Sequence, residues 1–435
     1  MGRSGKVIKD QAMNGISGLL ELVDMKTRQM NKEAWGNQFR NCFSDTLLRT
    51  LNILEDGSVY LVTGDIPAMW LRDSTAQIQP YLVLAKTNKV FQTLIAKLVQ
   101  KQCEYILIDP YANAFNESPN SHGHQTDKTR MSPWVWERKY EVDSLCYPVR
   151  LAYLLFEQSG YTEHFNETFL KAVKEIVAVF RKEQRHETSD YSFERFDERP
   201  EDSLVNDGRG TPVGYTGMTW SGFRPSDDAC RYGYLIPANM FAVVILTHLT
   251  EIVSRFYQEE ALVEDIRRLR DEIQAGIEKY GIVEDDQNGK KMFAYEVDGL
   301  GNYSLMDDAN VPSLLSAPYL GYCDTQEEIY LNTRAFLLSD RNPYYFSGAV
   351  ASGIGSSHTP DQYIWPIALS IQGLTTTSKE EKARLLDILV GTTAGTMQCH
   401  ESFDVNDESL YTREWFSWSN MMYCQLLLDY LELDN

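Results

Sequence analysis

The chain has 435 residues, of which 43% are apolar and 24% charged, and this is ordinary usage for a globular protein. Its formal net charge of −21 argues against nucleic acid or an anionic membrane as a partner, because both attract basic surfaces. We expect no signal peptide, because the N-terminus has no apolar h-region of the required length, and no membrane span, since no run of about 18 apolar residues is present. Seven scattered cysteines without a C-x-x-C pair indicate reduced thiols and a cytoplasmic protein.

Two kinds of helical segment alternate along the chain. Amphipathic, charged segments are typical of outer helices with one buried face, and nearly uncharged segments with a polar start indicate inner helices buried on most sides. In chain order the predicted segments are 31–52 (outer), 73–86 (inner), 88–107 (outer), 143–157 (inner), 162–184 (outer), 227–250 (inner), 258–280 (outer), 307–321 (inner), 325–339 (outer), 359–374 (inner), 378–395 (outer) and 415–432 (inner). Short strands are predicted at 58–63 and 292–297.

Six outer and six inner helices in alternation predict an all-α (α/α)6 barrel, a toroid with short β-hairpins on its rim. We expect a single catalytic domain over residues 1–435. A helical solenoid would alternate similarly, but it usually has a tighter repeat length and shared consensus positions, and neither is visible. Pro360 suits a first helical position, so the fifth inner helix is expected to begin there.

Acidic and aromatic residues cluster in the loops before the inner helices. The stretch 64–74 combines Asp65, Trp70, Arg72 and Asp73, and such residues bind the hydroxyls and the apolar face of a sugar ring. The alternative is a helix N-cap with a structural Arg–Asp pair. These residue types therefore point to a carbohydrate-processing protein.

A second aromatic and acidic region covers 109–116 and 134–143. It supplies Asp109, Asn113, Trp134, Glu137 and Arg138 as candidate sugar contacts. The alternative is an aromatic-rich loop that packs on the barrel. The His-x-His pair at 122 and 124 is a weak metal signal, because no further ligand residues cluster nearby, and we expect no metal site.

The third stretch, 216–228, ends in two adjacent carboxylates, Asp227 and Asp228, with Trp220 and Arg224 upstream. Carboxylates act as general acids in glycoside hydrolysis, so a catalytic role is predicted for this pair. The alternative is compensation of a helix dipole at a helix start, and it applies equally to the acid pair at 307–308.

Two further stretches lie nearer the C-terminus, at 355–365 and 400–420. The first contains His358, and the second contains Glu401 in an aromatic, His-flanked loop, where a carboxylate can activate water. Glu414 competes for the same role, although its position before an inner helix also suits ligand binding or capping. The alternative for Glu401 is an ordinary surface acid.

These motifs together resemble glycoside hydrolase family 125, the exo-α-1,6-mannosidases. The resemblance runs in order from about residue 30 to 430 through the segments 64–74, 109–116, 132–141, 217–229, 306–315 and 358–365. It implies an (α/α)6 barrel, no cofactor, and a metal-independent, inverting release of terminal non-reducing α-1,6-linked mannose from mannosides or mannose-containing glycans.

The resemblance also implies roles for individual residues. Asp227 would be the general acid and Glu401 the general base, with Glu414 left open as the alternative base. The residues that resemble the family's mannose pocket are Asp65, Arg72, Asp73, Asp109, Asn113, Trp134, Glu137, Arg138 and His358. Trp220, Arg224, Asp228 and Glu414 are added as substrate contacts from the composition of their stretches.

An inverting mechanism needs the two carboxyl groups roughly 6.5–9.5 Å apart, whereas a separation near 5 Å would indicate a retaining enzyme. The alternatives are an inverting glycoside phosphorylase, an (α/α)6 glycosidase of different sugar specificity, a non-catalytic carbohydrate-binding protein, and a helical scaffold. The sequence leaves open whether the substrate is an N-glycan fragment or a mannan.

Overall fold

The structure is a computed structural model, and it describes residues 3–196 and 199–434. The expectation of no signal peptide concerns the N-terminus, and its first two residues, Met1 and Gly2, lie outside the described residues. The chain divides into two compact units. Unit 1 contains Met1–Gln102, Leu151–His164 and Phe346–Asn435, and unit 2 contains Cys103–Arg150 and Phe165–Tyr345. The prediction of a single domain stays a prediction.

Unit 1 is mainly helical. Its helices are Arg3–Gln29, Glu33–Asp45, Leu71–Ile78, Leu82–Ala85, most of Lys89–Ile108, the end of Val142–Ser159, Pro366–Leu374, Lys379–Gly391 and Ser417–Tyr430. Its strands are short: Leu51–Ile53 pairs with Val59–Leu61, Tyr345–Ser347 pairs with Ser352–Ile354, and Tyr363–Ile364, Ser402–Asp404 and Tyr411–Thr412 form one antiparallel sheet. Met69–Trp70 is a two-residue strand before a helix.

Unit 2 has the same character. Its helices are Glu167–Glu183, Val205–Gly208, Ile236–Phe256, Glu260–Gly276, Ala317–Leu320 and Glu328–Leu337, together with the remaining turns of Lys89–Ile108 and Val142–Ser159. Strands Ala114–Phe115 and Val135–Glu137 pair, as do Ile282–Glu284 and Lys291–Phe293. Strand Glu296–Val297 lies between Tyr234–Leu235 and Tyr303–Ser304.

The pattern of charge along the sequence explains which helices are buried. In Glu260–Gly276 the buried residues are Val263, Ile266, Leu269, Ile273 and Gly276, and this spacing places one apolar face inward. In Pro366–Leu374, which carries no charge, every residue except Leu374 is buried. The two kinds of helix predicted from the sequence are therefore confirmed by their burial.

Helix starts follow from local chemistry. The Asn166 side chain accepts from the N–H groups of Thr168 and Phe169, so the helix Glu167–Glu183 begins with a filled cap. Ser378 caps Lys379–Gly391 in the same way through the N–H of Glu381.

Three predicted inner helices begin later than expected. Segment 227–250 becomes helical only at Ile236, segment 359–374 only at Pro366, and segment 307–321 contains only the short helix Ala317–Leu320. The helical start predicted at Pro360 is therefore wrong, and Pro366 takes the first helical position. The acid pairs at 227–228 and 307–308 lie in irregular loops, not at helix starts.

Helix Ile236–Phe256 is the exception to the expectation that no segment resembles a membrane span. Over the described residues it is the one helix long and apolar enough to qualify, with a mean hydropathy of 1.6. However, 72% of its apolar window is buried inside the protein, and a core helix passes the same test of length and composition.

Candidate active site

The predicted site residues form two groups, one in each unit. Unit 2 holds Asp109, Asn113, Trp134, Glu137, Arg138, Trp220, Arg224, Asp227 and Asp228. Unit 1 holds Asp65, Arg72, Asp73, His358, Glu401 and Glu414.

Asp227, the predicted general acid, lies in a tight loop of unit 2. An antiparallel bridge between Phe223 and Ala229 closes this loop, and the N–H of Arg224 donates to the carbonyl of Asp228 at 2.8 Å. The N–H of Asp227 donates back to the carbonyl of Arg224 at 2.9 Å. Asp227 has φ = +70°, a left-handed conformation that costs a non-glycine residue about 1 kcal/mol or more. The surrounding contacts must therefore hold this backbone in place.

Asn113 and Glu137 are brought beside Asp227 by two short strands. Ala114–Phe115 and Val135–Glu137 run antiparallel, with Ala114 opposite Glu137. The Asn113 amide donates to Glu137 Oε2 at 2.9 Å and lies 3.5 Å from Asp227 Oδ1. Three of the predicted site residues thus lie in one cluster.

Glu137 is an ionised, buried acceptor. Burial alone would raise its pKa, but the positive charges of Lys139 and Arg195 outweigh burial and hold the pKa of Glu137 well below its usual range. The guanidinium of Arg195 donates to Glu137 Oε1 at 2.8 Å. Glu137 therefore acts only as an acceptor, for Asn113 and for any hydroxyl that reaches it.

Lys139 was not predicted as a site residue, yet it contacts the proposed acid. Its ammonium donates to the carbonyl oxygen of Asp227 at 2.7 Å and to Asp202 Oδ1 at 2.6 Å. It is only 1% exposed. Burial would lower the pKa of Lys139, but the charges of Glu137, Asp227 and Asp202 raise it instead. The signal in the sequence was a lysine inside an aromatic, acidic motif, where a charged residue needs a buried partner.

Arg138 and Asp109 form a second cluster in unit 2. Arg138 Nε donates to Asp109 Oδ2 at 2.7 Å, and the guanidinium lies 5.3 Å from the ring centres of both Tyr111 and Tyr191. Glu137 and Arg138 are adjacent in sequence but have different neighbours. The sequence therefore did not show that these two predicted pocket residues belong to separate clusters.

Trp220 is a core residue. It is 1% exposed, and the His186 ring stacks on it with a centroid separation of 3.4 Å. No face of this indole is open to a sugar, so we reassign Trp220 from substrate contact to support of the loop that follows it. Trp134 is only half-buried, with its ring 6.4 Å from that of Tyr105.

Arg224 and Asp228 also have protein partners. Arg224 Nε donates to Glu296 Oε1 at 2.7 Å, and Glu296 has no exposed surface. Arg199 donates to Asp228 Oδ1 at 3.1 Å. Arg224 and Asp228, both predicted to contact the substrate, therefore stabilise the loop that carries Asp227.

The acid pair at 307–308 shapes a neighbouring loop. The side-chain carboxyl group of Asp307 accepts from the N–H groups of Leu314 and Leu315, each at 2.9 Å, and burial raises the pKa of Asp307 to about 8. Asp308 accepts from the Ser226 hydroxyl at 2.8 Å, next to the proposed acid. The alternative of dipole compensation at a helix start does not apply here, because this acid pair lies in a loop and makes loop hydrogen bonds instead.

In unit 1 the predicted base is held by an arginine that sequence reasoning did not select. Arg413 Nη1 donates to Glu401 Oε1 at 3.3 Å, and its Nε and Nη2 donate to Asp65 Oδ1 at 3.1 Å and 2.5 Å. Although burial would lower the pKa of Arg413, its hydrogen bond to Asp65 and the charge of Glu401 raise it. Glu401 is buried, whereas Asp65 is exposed. Asp65 and Glu401 are thus brought together through one guanidinium.

Arg72 and Asp73 form a buried pair at the start of helix Leu71–Ile78. Arg72 Nε lies 3.4 Å from Asp73 Oδ2, and the Thr63 hydroxyl donates to Asp73 Oδ1 at 2.5 Å. The guanidinium lies 5.4 Å from the Trp418 ring. Gly64, with φ = +131°, is required beside them because a Cβ there would lie 2.6 Å from the Trp415 carbonyl oxygen.

Glu414 differs from Glu401 in burial. It is exposed, and its carboxylate accepts from the Tyr411 hydroxyl at 3.3 Å. His358 is half-buried, with its ring 6.4 Å from that of Trp365. Among the described residues, no group of three or more His, Cys, Asp or Glu side chains is arranged to hold a metal ion.

Helices that bury uncharged faces, with clusters of carboxylate, arginine and aromatic side chains in their loops, are the features of an all-α glycoside hydrolase. A family model described as metal-independent α-mannosidase (GH125) matches residues 32–428. The chain belongs to this family, and it is a metal-independent α-mannosidase.

Solved structures agree with this assignment. A metal-independent α-mannosidase from Streptococcus pneumoniae, in a non-productive complex with α-1,6-mannobiose, is 54% identical with a TM-score of 0.94, covering 96% of this chain and 98% of that one. A bacterial glucoamylase complexed with acarbose has a TM-score of 0.60 at 11% identity, covering 91% of this chain and 56% of that one, and this likeness concerns the fold alone. The predicted (α/α)6 fold class is confirmed.

One curated relative is similar over most of its length. The "Meiotically up-regulated gene 157 protein" of Schizosaccharomyces pombe is 39% identical over 441 aligned positions, which cover 94% of this chain and 85% of the relative.

Proposed function

We propose that this α-mannosidase releases terminal α-1,6-linked mannose from the non-reducing end and inverts the anomeric configuration. The observation that carries the proposal is the 54% identical structure from Streptococcus pneumoniae, which holds α-1,6-mannobiose. At this identity, over 96% of the chain, a shared substrate class is the simplest expectation.

The proposal assigns the two chemical roles to Asp227 and Glu401. Asp227 donates a proton to the glycosidic oxygen as the bond to C1 breaks, and Glu401 takes a proton from the water that attacks C1 from the opposite face. Two features support Glu401 over Glu414 as the base: it is buried, and Arg413 fixes its orientation.

The hydroxyl-binding roles follow from hydrogen-bonding capacity. Glu137 and Asp65 each accept from a guanidinium and retain further lone pairs for sugar hydroxyls. The Asn113 amide links Glu137 to the proposed acid, so a sugar held by Glu137 would be aligned with the proton donor.

The biological setting extends the proposal. The Streptococcus pneumoniae enzyme is described in connection with the processing of N-linked glycans, and we propose fragments of such glycans as the substrate. All seven cysteines are free thiols and six are buried, which supports a reducing compartment such as the cytoplasm.

Proton NMR of α-1,6-mannobiose digestion tests the reaction. We expect mannose to be released with its β-anomer first, before mutarotation, and the rate to be independent of phosphate. The α-anomer appearing first would show retention, and a rate that required phosphate would show a phosphorylase. Binding of mannobiose without any release would leave a non-catalytic binding protein.

A further inference from the structure

We propose that Lys139 is a positioning residue that aims the proton donor, acting through the backbone of Asp227. This inference rests on the proposed role of Asp227 as general acid. The contact that carries it is the hydrogen bond from the Lys139 ammonium to the main-chain carbonyl of Asp227, at 2.7 Å.

The backbone geometry explains why such a contact is needed. Asp227 has a left-handed φ of +70°, which an aspartate does not favour without external support. Its N–H and the neighbouring carbonyl of Asp228 are bonded to Arg224 within the loop, but the carbonyl of Asp227 is bonded outside the loop, to Lys139. A rotation of this peptide would swing the carboxylate away from its direction. Lys139 is thus the external anchor of the strained residue.

The anchor is itself fixed from two sides. Asp202 Oδ1 accepts from the Lys139 ammonium at 2.6 Å, and Glu137 Oε1 lies 3.8 Å from it. The segment that carries Asp202 also contacts the acid's loop directly, because the carbonyl of Glu201 accepts from the N–H of Ala229 at 2.7 Å. A buried ammonium with two acidic neighbours keeps its charge and has little freedom to move.

Leaving-group dependence distinguishes positioning of the acid from general stabilisation of the fold. Release of mannose from α-1,6-mannobiose breaks the C1–O bond to an alcohol, which needs a proton in the transition state. Release of 2,4-dinitrophenolate from 2,4-dinitrophenyl α-mannoside produces a stable anion and needs none. A misaimed acid therefore slows the first reaction selectively, whereas a partly unfolded enzyme slows both equally.

The experiment measures kcat/KM on both substrates for the wild type, Lys139→Met and Lys139→Arg. We expect Lys139→Met to lower kcat/KM on mannobiose about 10- to 100-fold, part of the 10²–10⁴-fold that general acid catalysis contributes, with less than a threefold change on the dinitrophenyl mannoside. Lys139→Arg keeps a buried cation and a hydrogen-bond donor. Its substrate ratio, defined as kcat/KM on mannobiose divided by kcat/KM on the dinitrophenyl mannoside, should be closer to that of the wild type.

The matched control is Lys101→Met, since Lys101 is also buried, at 7% exposure, but belongs to unit 1 and interacts with Asp56. Its substrate ratio should equal that of the wild type. If Lys139→Met does not fold, Asp202→Asn removes the partner of Lys139 and should shift the ratio in the same direction. An unchanged ratio in the folded variant overturns the proposal.

A reference variant separates this proposal from the one on which it rests. Asp227→Asn should lose activity on mannobiose and keep activity on the dinitrophenyl mannoside. Should it lose both equally, the assignment of Asp227 as acid is wrong. A selective loss in Asp227→Asn with an unchanged ratio in Lys139→Met refutes only the role of Lys139.

Discussion

Replacing Glu296 by glutamine tests the buried ion pair beneath the acid's loop. Glu296 Oε1 accepts from Arg224 Nε at 2.7 Å, and Oε2 accepts from the N–H groups of Arg231 and Tyr232 at 3.2 Å each. Both carboxylate oxygens are needed as acceptors, so an amide must turn its NH2 group toward a donor. The change leaves a buried cation uncompensated, which costs about 3–5 kcal/mol.

The thermal consequence can be worked out for unit 2, which has about 230 residues. At about 2.1 cal/mol/K per residue its unfolding entropy is near 0.5 kcal/mol/K, so Tm should fall by about 6–10 °C. Differential scanning calorimetry measures this shift. The control is Glu278→Gln at an exposed site, which should change stability by less than about 0.5 kcal/mol. A Tm for Glu296→Gln within about 1 °C of the wild type would refute the reasoning.

Three further outcomes follow from the geometry. Gly64→Ala should lower Tm by several degrees more than Gly301→Ala in melting curves, because both have positive φ but only the first Cβ meets a carbonyl oxygen, and equal shifts would contradict this. Because burial raises the pKa of Asp307 to about 8, the folded state keeps a proton that the unfolded state releases above its ordinary pKa of about 4, so stability should fall as the pH rises between these values. Asp307→Asn should flatten this dependence in urea unfolding at about pH 5 and 8, and an equally steep slope would exclude Asp307 as its source. Arg413→Met should lower kcat on mannobiose about 10- to 100-fold by releasing the proposed base, and an unchanged kcat would remove Arg413 from that role.

The helices were readable from the sequence because their signal is local. The apolar spacing in Glu260–Gly276 repeats every three or four residues, and each buried position can be identified without knowledge of any partner. The first residues of the inner helices were harder to predict from the sequence. Proline suits the first turn of a helix at both Pro360 and Pro366, and only the tertiary contacts select Pro366.

The sequence did not show which neighbours each predicted site residue would have. Asn113, Glu137 and Asp227 lie in one cluster, whereas Trp220 is enclosed in the core. Local composition marks a stretch as rich in sugar-binding residue types, and it does not show which side chains are buried.

The residues that sequence reasoning missed act through distant contacts. Arg413 joins Glu401 to Asp65, which is 348 positions away in the chain, and Lys139 contacts Asp227 across 88 positions. No motif spacing reports such pairs, because their proximity depends on the complete tertiary structure.

The division of the chain has a consequence for folding during synthesis. Every residue of unit 2 has been made once Tyr345 is added, whereas unit 1 still lacks Phe346–Asn435, including the buried helix Ser417–Tyr430. A compact unit can complete its folding only after all of its residues have been made, so unit 2 can fold before unit 1 during synthesis. A truncation before Ser417–Tyr430 would therefore leave the N-terminal helices of unit 1 without this buried helix.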